Sequence, residues 1–362
     1  MSAVSAPFAH EGSHVNHIML QVCAALIPCT AMGFYLFGWP AVNLWLVTCM
    51  AAVLTEALCL QLLNQSWMRL LDGSALLTGW LIALTLPPWA PWWIGAGGAA
   101  FSIGIGKQLY GGIGQNIFNP AMLARVALLI AFPVQMTTWV LPLHVTGQSG
   151  PGFMEALAIT FGSHPIADAY TGATSLGGLK TDLTLHQHAQ DVMARHYVWW
   201  RALLGLEGGS MGETSELLVL TGGLWLLTKR IISWEIPVAM LSMLAFLAGF
   251  SAIINPERFA GALYNLSSGG IMLGAFFIAT DPVTSPISRT AKLIFGAGCA
   301  TVMFVIRMWG SFPEGVGFAV LFMNALTPLL DRYFRPRIYG RTGTGKPLKN
   351  PSPTAVVKES QP

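Results

Sequence analysis

The sequence predicts an all-α polytopic membrane protein with ten transmembrane helices, arranged as two five-helix repeats with an extracytoplasmic insertion between them. Of its 362 residues, 54% are hydrophobic and 10% are charged, whereas a soluble domain carries about 25% charged residues. Ten apolar runs are present, and the longest reach the ~20 residues that a spanning helix needs. Net charge is only +3, so we expect no nucleic-acid partner.

The first membrane repeat, residues 18–141, holds five apolar runs. The turn-forming Gly38-Trp39-Pro40 separates the first two runs. Pro87-Pro88 stops the short third run, and the glycine-rich fourth run ends at Lys107. The predicted helices are Ile18–Phe37, Ala41–Leu63, Ser74–Leu86, Trp92–Gly106 and Ala121–Leu141.

A polar segment, residues 142–216, follows the first repeat. It contains five of the histidines and seven of the sixteen acidic residues, so we expect it to lie outside the bilayer. His186 and His188 stand at i, i+2 and would not share a helix face. The five cysteines all lie in apolar runs, as small buried hydrophobes do. We therefore predict no metal site.

The second membrane repeat, residues 217–330, resembles the first at an offset of 195 positions. Trp39 falls on Trp234, and Gly79 falls on Gly274. Because each repeat has an odd number of crossings, the second must be inserted upside down, which is an inverted-topology repeat. Chance similarity between glycine-rich helices is the alternative. The predicted helices are Leu217–Thr228, Ile236–Ile254, Gly261–Thr280, Leu293–Arg307 and Val316–Leu330.

The basic residues set the orientation. With residues 1–17 in the cytoplasm and ten alternating crossings, fourteen of the nineteen Lys and Arg residues lie inside. Seven of the fourteen belong to the basic tail, residues 331–362. The opposite orientation would reverse the count, against the positive-inside rule. We therefore predict that both termini are cytoplasmic and that the segment 142–216 faces the periplasm or exterior.

Two proline-stopped helix ends fall at matching positions in the repeats, at Thr85 and at Thr280-Asp281. Interrupted helices at matching positions point to the central site of an inverted repeat. Their freed carbonyls and hydroxyls make Thr85, Thr280 and Asp281 candidates for an ion path. The alternative is that the prolines simply end membrane spans.

Glu56 is the one acidic residue well inside an apolar run. A carboxylate in hydrocarbon is costly and by default marks a function such as an ion or proton path. Glu56 is therefore an ion-path candidate. A structural role, as the partner of Arg69 or at a helix end, is the alternative.

The stretch Asp168-Ala169-Tyr170-Thr171-Gly172-Ala173-Thr174 lies in the polar segment and ends in a secondary hydroxyl. Taken alone, it predicts an ordinary glycine-containing turn. Its pattern, Asp-x-x-(Ser/Thr)-Gly-Ala-Thr, resembles the flavinylation motif that the extracytoplasmic FAD:protein FMN transferase recognises. In proteins with that motif, FMN is esterified through its phosphate to the last threonine. The resemblance implies covalent FMN on Thr174, with Asp168, Thr171, Gly172 and Ala173 as recognition residues.

Three further stretches carry a wider resemblance: Gly111–Met122, Gly274–Pro282 and Asn324–Leu329. They are similar to the D subunit of the Rnf-type ion-translocating ferredoxin:NAD⁺ oxidoreductase, and to its homologue, the B subunit of the Na⁺-translocating NADH:quinone oxidoreductase. The likeness covers roughly residues 17–335. The quinone-reductase subunit is longer before its first helix, so the short N-terminus here favours the Rnf-type subunit.

The resemblance implies a fold like that of urea transporters, in a bacterial inner membrane. It implies an electron-transport subunit that couples ferredoxin:NAD⁺ electron transfer to Na⁺ or H⁺ translocation, with other complex subunits, the FMN transferase and membrane lipid as partners. A second, non-covalent flavin such as riboflavin stays an open expectation. The alternatives are the quinone-reductase subunit and a non-redox small-solute channel on the same inverted repeat, for which the Thr174 motif would have no use.

The charge distribution generates a testable prediction of topology. A cysteine placed in the 331–362 tail should react with a membrane-impermeant thiol reagent only after the cells are opened. A cysteine placed in 142–216 should react in intact cells with a permeable outer membrane. Labelling of the tail from outside would contradict the predicted orientation.

Overall fold

A computed structural model describes residues 15–143, 150–162, 171–185 and 188–335, without the side chains of 190 and 194–196. Across these ranges the regular structure is helical, and the one β contact is an isolated bridge between Val140 and Thr171. Helices pair their backbone groups internally, as a hydrocarbon environment requires. The prediction of an all-α membrane protein is confirmed for the part of the chain described.

The first half begins with five apolar helices. α1 and α2 are separated only by Gly38, whose φ of 72° lies in the left-handed region that favours glycine. Pro40 occupies the first turn of α2, where its missing N–H costs nothing. The five are α1 (Val15–Phe37), α2 (Trp39–Leu62), α3 (Ser74–Thr85), α4 (Trp92–Gly104) and α5 (Pro120–Ala131).

Five short helices follow, one before the polar segment and four in its described part. Their lengths are too small to cross a bilayer, as expected for a segment outside it. The first is α6 (Pro133–Thr137), at the end of the first half, and the four in the polar segment are α7 (Phe153–Phe161), α8 (Ser175–Thr184), α9 (Ala189–His196) and α10 (Trp199–Leu204).

The second half begins with a helix that matches the start of the second repeat. Within it, one short helix continues into a π-helical turn, Gly274–Ile278. The helices are α11 (Glu216–Thr228), α12 (Glu235–Ile254), α13 (Ala262–Leu266), α14 (Ile271–Leu273), α15 (Arg289–Trp309) and α16 (Val316–Tyr333).

Four described helices are long and apolar enough to cross a membrane by length and composition, namely α1, α2, α12 and α15. Three shorter helices, α3, α5 and α11, are also apolar. This pattern is that of a polytopic membrane protein. Ten spanning helices stay a prediction.

Two of the predicted spans are wrong as single helices. Ala121–Leu141 breaks because α5 ends at Ala131, and Pro133 begins the separate helix α6; proline cannot donate into the helix ladder. Gly261–Thr280 breaks at Gly269, which has a φ of 76° and interrupts the helix between α13 and α14. In both cases a residue with special backbone chemistry outweighs the apolar pattern.

The two halves pack in parallel ways and meet in one core. α2 lies along α4 in the first half, and α12 lies along α15 in the second, while α1 packs against α11. Leu26, Leu84, Phe276 and Phe295 belong to the same buried cluster. This pairing is what an inverted repeat would give, and the repeat itself stays a prediction.

Gly79 allows α3 to approach α2 closely. A Cβ atom at Gly79 would lie 2.8 Å from the Ala52 Cβ and 3.0 Å from the Cys49 Cα. Gly274, its predicted counterpart, is equally crowded, with 2.6 Å from a built Cβ to the Val316 Cγ1. Small residues at helix interfaces let membrane helices pack by close van der Waals contact.

We therefore expect Gly79→Val to push α3 away from α2 and to destabilise the protein by about 3 kcal/mol, the upper range for overpacking a core. The measurement is the thermal unfolding midpoint in detergent. Gly97→Val on α4 is the matched control, because a Cβ at Gly97 meets no atom within 4 Å. Equal midpoints for the two variants would contradict the close contact.

Candidate functional site

Thr174 caps the N-terminus of α8. Its Oγ1 accepts a hydrogen bond from the Gly177 N–H at 3.0 Å, as favoured N-cap residues do. The N–H groups of Ser175 and Leu176 lie in the first turn, where an α-helix supplies no acceptor. Thr174 therefore stands where backbone donors and the helix dipole favour an anion.

The residues before Thr174 are held against the segment after α6. The Gly172 N–H donates to the Trp139 carbonyl at 3.1 Å. A Cβ at Gly172 would lie 2.7 Å from the Leu141 side chain, so only glycine fits here without displacement. Ala173 is exposed. Thr171, Gly172, Ala173 and Thr174 are thus placed together, whereas Asp168 lies outside the described residues.

A cavity of ≈ 480 Å³ opens beside Thr174. Its walls include Leu141, Leu179, Tyr197 and Tyr264. The two tyrosine rings meet edge to face, with centroids 4.9 Å apart and an interplanar angle of 66°. The volume falls within the roughly 300–1,000 Å³ of small-molecule and cofactor sites, and the walls are mainly apolar and aromatic.

Polar groups fix the backbone at the mouth of this cavity. The Tyr264 hydroxyl donates to the Ser175 carbonyl at 2.7 Å. The Ser175 hydroxyl donates to the Glu207 carboxylate. Burial raises the pKa of Glu207, and the hydrogen bond from Ser175 partly opposes that rise. Ser175, which follows Thr174, is therefore held by hydrogen bonds at both its carbonyl and its hydroxyl.

A buried arginine holds the loops beneath Thr174. Arg307 Nη1 donates to the Asn265 carbonyl at 2.8 Å, and Nη2 donates to the Ser268 carbonyl at 2.9 Å. The same Nη2 lies 3.4 Å from the Glu314 carboxylate, which also accepts from the Gly270 N–H at 3.1 Å. Ser268 and Glu314 line a cavity of ≈ 40 Å³ that Thr174 also borders.

The Thr174 region lies at one end of the long helix α15. Lys180 of α8 donates to the carbonyls of Gly310 and Phe312, just after α15 ends. Lys292, near the start of α15, donates to Ser233 at 3.0 Å. A helix of 21 residues is about 30 Å long. The candidate flavin threonine and the basic end of the second half are therefore on opposite sides of the molecule.

Glu56 lies in a second, separate polar cluster. It is 1% exposed and forms an ion pair with Lys107, which is 3% exposed. Lys107 also donates to the Ser74 hydroxyl at 2.5 Å, and the Gln108 amide donates to Glu56 at 2.8 Å. Arg69, considered as the partner from the sequence, instead donates to the Gln65 side chain at 2.6 Å.

The interrupted helix ends are capped by groups from the region of α5. The Thr85 carbonyl accepts from the Arg125 guanidinium, and the Ile278 carbonyl accepts from the Asn119 amide at 3.3 Å. The hydroxyls of Thr85 and Thr280 donate within their own helices, at 2.9 Å and 2.6 Å. The predicted freed carbonyls therefore exist, and protein donors already occupy them.

A cavity of ≈ 100 Å³ lies between the two halves. Ser74 and Lys107 line it from the first half, and Thr280 and Asp281 line it from the second. Asp281 accepts from the Val283 N–H at 3.2 Å and from the Thr284 hydroxyl at 3.1 Å. Thr280 and Asp281 thus line the same cavity as Lys107, the partner of Glu56, whereas Thr85 is not among the lining residues.

The sequence reasoning missed several residues of both sites. Tyr197, Glu207 and Tyr264 surround the Thr174 cavity from distant positions, and no local pattern indicates them. Lys107 could have been predicted as the partner of Glu56. A buried carboxylate needs a cation, and Lys107 ends an apolar run on the same predicted side of the membrane.

Comparison with known proteins identifies relatives over almost the whole chain. The model of the family described as "NQR2, RnfD, RnfE family" matches residues 2–340. The chain is 62% identical over 347 residues to the D subunit of the ion-translocating oxidoreductase complex of Stutzerimonas stutzeri, covering 96% of this chain and 98% of that protein. The protein of the same name from Halorhodospira halophila is 47% identical over 346 residues, covering 95% of this chain and 97% of that protein. The one from Escherichia coli is 41% identical over 348 residues, covering 93% of this chain and 97% of that protein.

The Arg307 contacts generate a prediction about the floor beneath Thr174. Arg307→Met should destabilise the protein by about 3–5 kcal/mol, because it leaves the Glu314 carboxylate without its cation. The measurement is the thermal unfolding midpoint in detergent. Arg258→Met is the control, since Arg258 is exposed and its substitution should stay within about 0.5 kcal/mol. Equal effects of the two variants would contradict the structural role of Arg307.

Proposed function

The chain belongs to the NQR2, RnfD, RnfE family, and from this premise we propose that it is the D-type membrane subunit of an ion-translocating oxidoreductase complex and carries covalent FMN on Thr174. The observation that carries the flavin proposal is the position of Thr174. Its hydroxyl caps α8 at the mouth of a cavity of ≈ 480 Å³. A small-solute channel has no use for this combination.

The start of α8 suits the phosphate of FMN. A phosphoester at Thr174 Oγ1 would place negative charge beside the first-turn N–H groups, where the helix dipole favours it. The ester oxygen keeps lone pairs for the Gly177 N–H. Gly177 and Gly178 come after Ser175 and Leu176, and a Cβ atom at Gly177 would lie only 3.0 Å from the Thr174 Oγ1, so glycine at this position leaves room for a phosphate beside the Gly177 N–H.

The cavity suits the ring system of the same group. Leu141, Leu179, Tyr197 and Tyr264 offer the apolar and aromatic surface that a planar flavin ring requires. Tyr264 also holds the Ser175 backbone through its hydroxyl. When bound, FMN would supply the electron-transfer chemistry, while these residues would orient the ring and exclude water.

The placement of Thr174 supports an extracytoplasmic flavin. The end of α15 that contacts α8 is opposite the end that carries Arg289 and Lys292. Lys229 and Arg230 follow α11 and lie at the same end as Arg289 and Lys292 in the proposed topology. By the positive-inside rule the basic end is cytoplasmic, so Thr174 faces the periplasm in a bacterial inner membrane.

The wider activity is proposed from the family. Electrons pass from ferredoxin to NAD⁺ through the assembled complex, and their flow is coupled to translocation of Na⁺ or H⁺. This subunit would contribute the covalent flavin on one side and the polar groups at Glu56, Thr280 and Asp281 on the other. Other subunits of the complex and the FMN transferase are its proposed partners. A second flavin between the halves would need the ≈ 100 Å³ cavity there to enlarge.

In-gel fluorescence of the denatured, full-length subunit tests the flavin proposal. The wild type, co-expressed with an FMN transferase, should show a fluorescent band that survives SDS. Thr174→Ala and Thr174→Val should abolish the band, because they remove the oxygen that forms the phosphoester. Thr171→Ser should keep it, and Asp168→Ala should weaken it through poorer recognition by the transferase.

Thr181→Ala is the matched control, since Thr181 carries an exposed hydroxyl on the same helix. This variant should fluoresce as strongly as the wild type. A band that persists in Thr174→Ala would overturn Thr174 as the acceptor. A wild type that never fluoresces beside its transferase would overturn covalent FMN on this subunit.

A further inference from the structure

A cavity of ≈ 610 Å³, the outer cavity, lies where two long apolar helices end. Asn255 follows the last residue of α12, and Trp309 is the last residue of α15. Both helices are long and apolar enough to cross a membrane, and both residues line the cavity. The outer cavity is thus at the level where spanning helices leave the bilayer, on the Thr174 side of the molecule.

Part of the lining of the outer cavity is apolar. Leu179 and Leu183 of α8 contribute to it together with Phe259 and Trp309. The rings of Phe259 and Trp309 have centroids 6.0 Å apart, and Trp309 is 57% exposed. Tryptophans concentrate at the membrane–water interface, because one end of the side chain is apolar and the other can stay wet. This lining therefore suits hydrocarbon from the adjacent lipid.

Apolar surface also begins directly beside the outer cavity. Ile253 and Ile254, the two residues before Asn255, are 82% and 67% exposed. At the end of a spanning helix, exposed side chains of this kind contact lipid acyl chains. An acyl chain lying on this surface would reach the outer cavity within one helical turn, about 5 Å.

The outer cavity has basic lining residues as well. Lys180, Arg258 and Arg307 contribute to it, and Glu257 is the only carboxylate among its described lining residues. Arg307 is paired with Glu314. Three cations therefore face two carboxylates, which leaves one positive charge unbalanced and favours an anionic ligand.

Lys180 carries a charge that no carboxylate balances. Its ammonium donates to the carbonyls of Gly310 and Phe312, the latter at 3.0 Å, and among the described residues it forms no ion pair. An ammonium has three N–H donors, so one is left after these two bonds. Burial lowers the pKa of Lys180, because the charged form loses water. An anion in the outer cavity would supply the missing partner.

A second donor in the same lining lacks an acceptor. Arg307 is 4% exposed, and within the part of the chain that the structure describes its Nε has no hydrogen-bond partner. Buried polar groups of native proteins nearly always find a partner. Arg258 adds an exposed guanidinium, whose Cζ lies 5.7 Å from the Phe259 ring centroid. The donors and the aromatic surface are therefore side by side.

This combination favours an anion that carries hydrocarbon. Phosphate oxygens are good acceptors for ammonium and guanidinium groups. A free phosphate would leave the apolar lining without a partner, and a zwitterionic lipid would bring a second cation toward Lys180. An anionic phospholipid satisfies both parts of the lining, and the volume of the outer cavity falls within the roughly 300–1,000 Å³ of ligand sites.

We propose that the outer cavity binds one anionic phospholipid, with its phosphate at Lys180 and Arg258 and the upper part of an acyl chain against Phe259 and Trp309. The site requires no flavin, and only its assignment to the outer leaflet rests on the proposed function. Lys180 belongs to α8, the helix that Thr174 caps. The bound lipid would thus hold that helix at the membrane surface.

Thermal unfolding of the delipidated full-length chain in a neutral detergent tests the site. Phosphatidylglycerol should raise the unfolding midpoint by several degrees over the same mole fraction of phosphatidylcholine, since a ligand of the folded state stabilises it. Lys180→Met and Arg258→Met should each weaken phosphatidylglycerol binding about fivefold, the contribution of one basic residue beside anionic lipid. Without added lipid, Arg258→Met should unfold at the midpoint of the wild type.

Arg201→Met is the matched control. Arg201 is also exposed, and its Cζ lies 5.4 Å from the Trp200 ring centroid, but it is not among the described lining residues of the outer cavity. This variant should keep the full gain. Arg258→Met carries the test if Lys180→Met does not accumulate, because an exposed side chain is not needed for folding. Equal gains in Arg258→Met and Arg201→Met would overturn the proposal.

Native mass spectrometry of the same samples counts the bound lipid. The wild type should retain one more phosphatidylglycerol than Arg258→Met, and Trp309→Ala should lower the stability gain by removing apolar lining. An equal gain from inorganic phosphate alone would overturn a lipid as the ligand. Thr174→Ala should keep the full gain, so a failure of the flavin proposal and a failure of the lipid proposal are read from different measurements.

Discussion

Every polar backbone group at membrane depth must find a partner within the protein, and the arrangement of this molecule depends on that constraint. Helix α3 ends at Thr85 and the π-helical turn ends at Ile278, both before prolines. Arg125 and Asn119 donate to the two freed carbonyls. Both donors come from one short region, so the same part of the first half completes the interrupted helices of both halves.

The same constraint separates the two polar clusters. Arg307 pairs with loop carbonyls and Glu314 near the Thr174 end, and Lys107 pairs with Glu56 near the other end. Between them the shared core is apolar, with residues such as Leu84 and Phe276 buried. Redox chemistry and ion translocation are thus proposed at opposite sides of one apolar core, and coupling between them would pass through the helices.

Much of the architecture follows from sequence signals with a direct physical cause. The break at Gly38-Trp39-Pro40 was predictable because glycine takes a positive φ and proline starts a helix. Pro133 is equally able to interrupt a helix, but the apolar residues around it led to the prediction of one continuous span. Thr174 was predicted as the candidate flavin residue from a local motif. Tyr197 and Tyr264 could not be predicted, because only the packing of α9 and α13 brings them together.

The hydroxyl of Thr174 acts as an acceptor at the start of α8, so its proton has no part in starting the helix. An oxygen that has exchanged its proton for a phosphorus still presents lone pairs to the Gly177 N–H. The helix can therefore be complete before modification and unchanged after it. Attachment of the proposed FMN would then not depend on when α8 folds: it could follow insertion into the membrane and even assembly, and an unmodified copy would be a folded precursor rather than a damaged product.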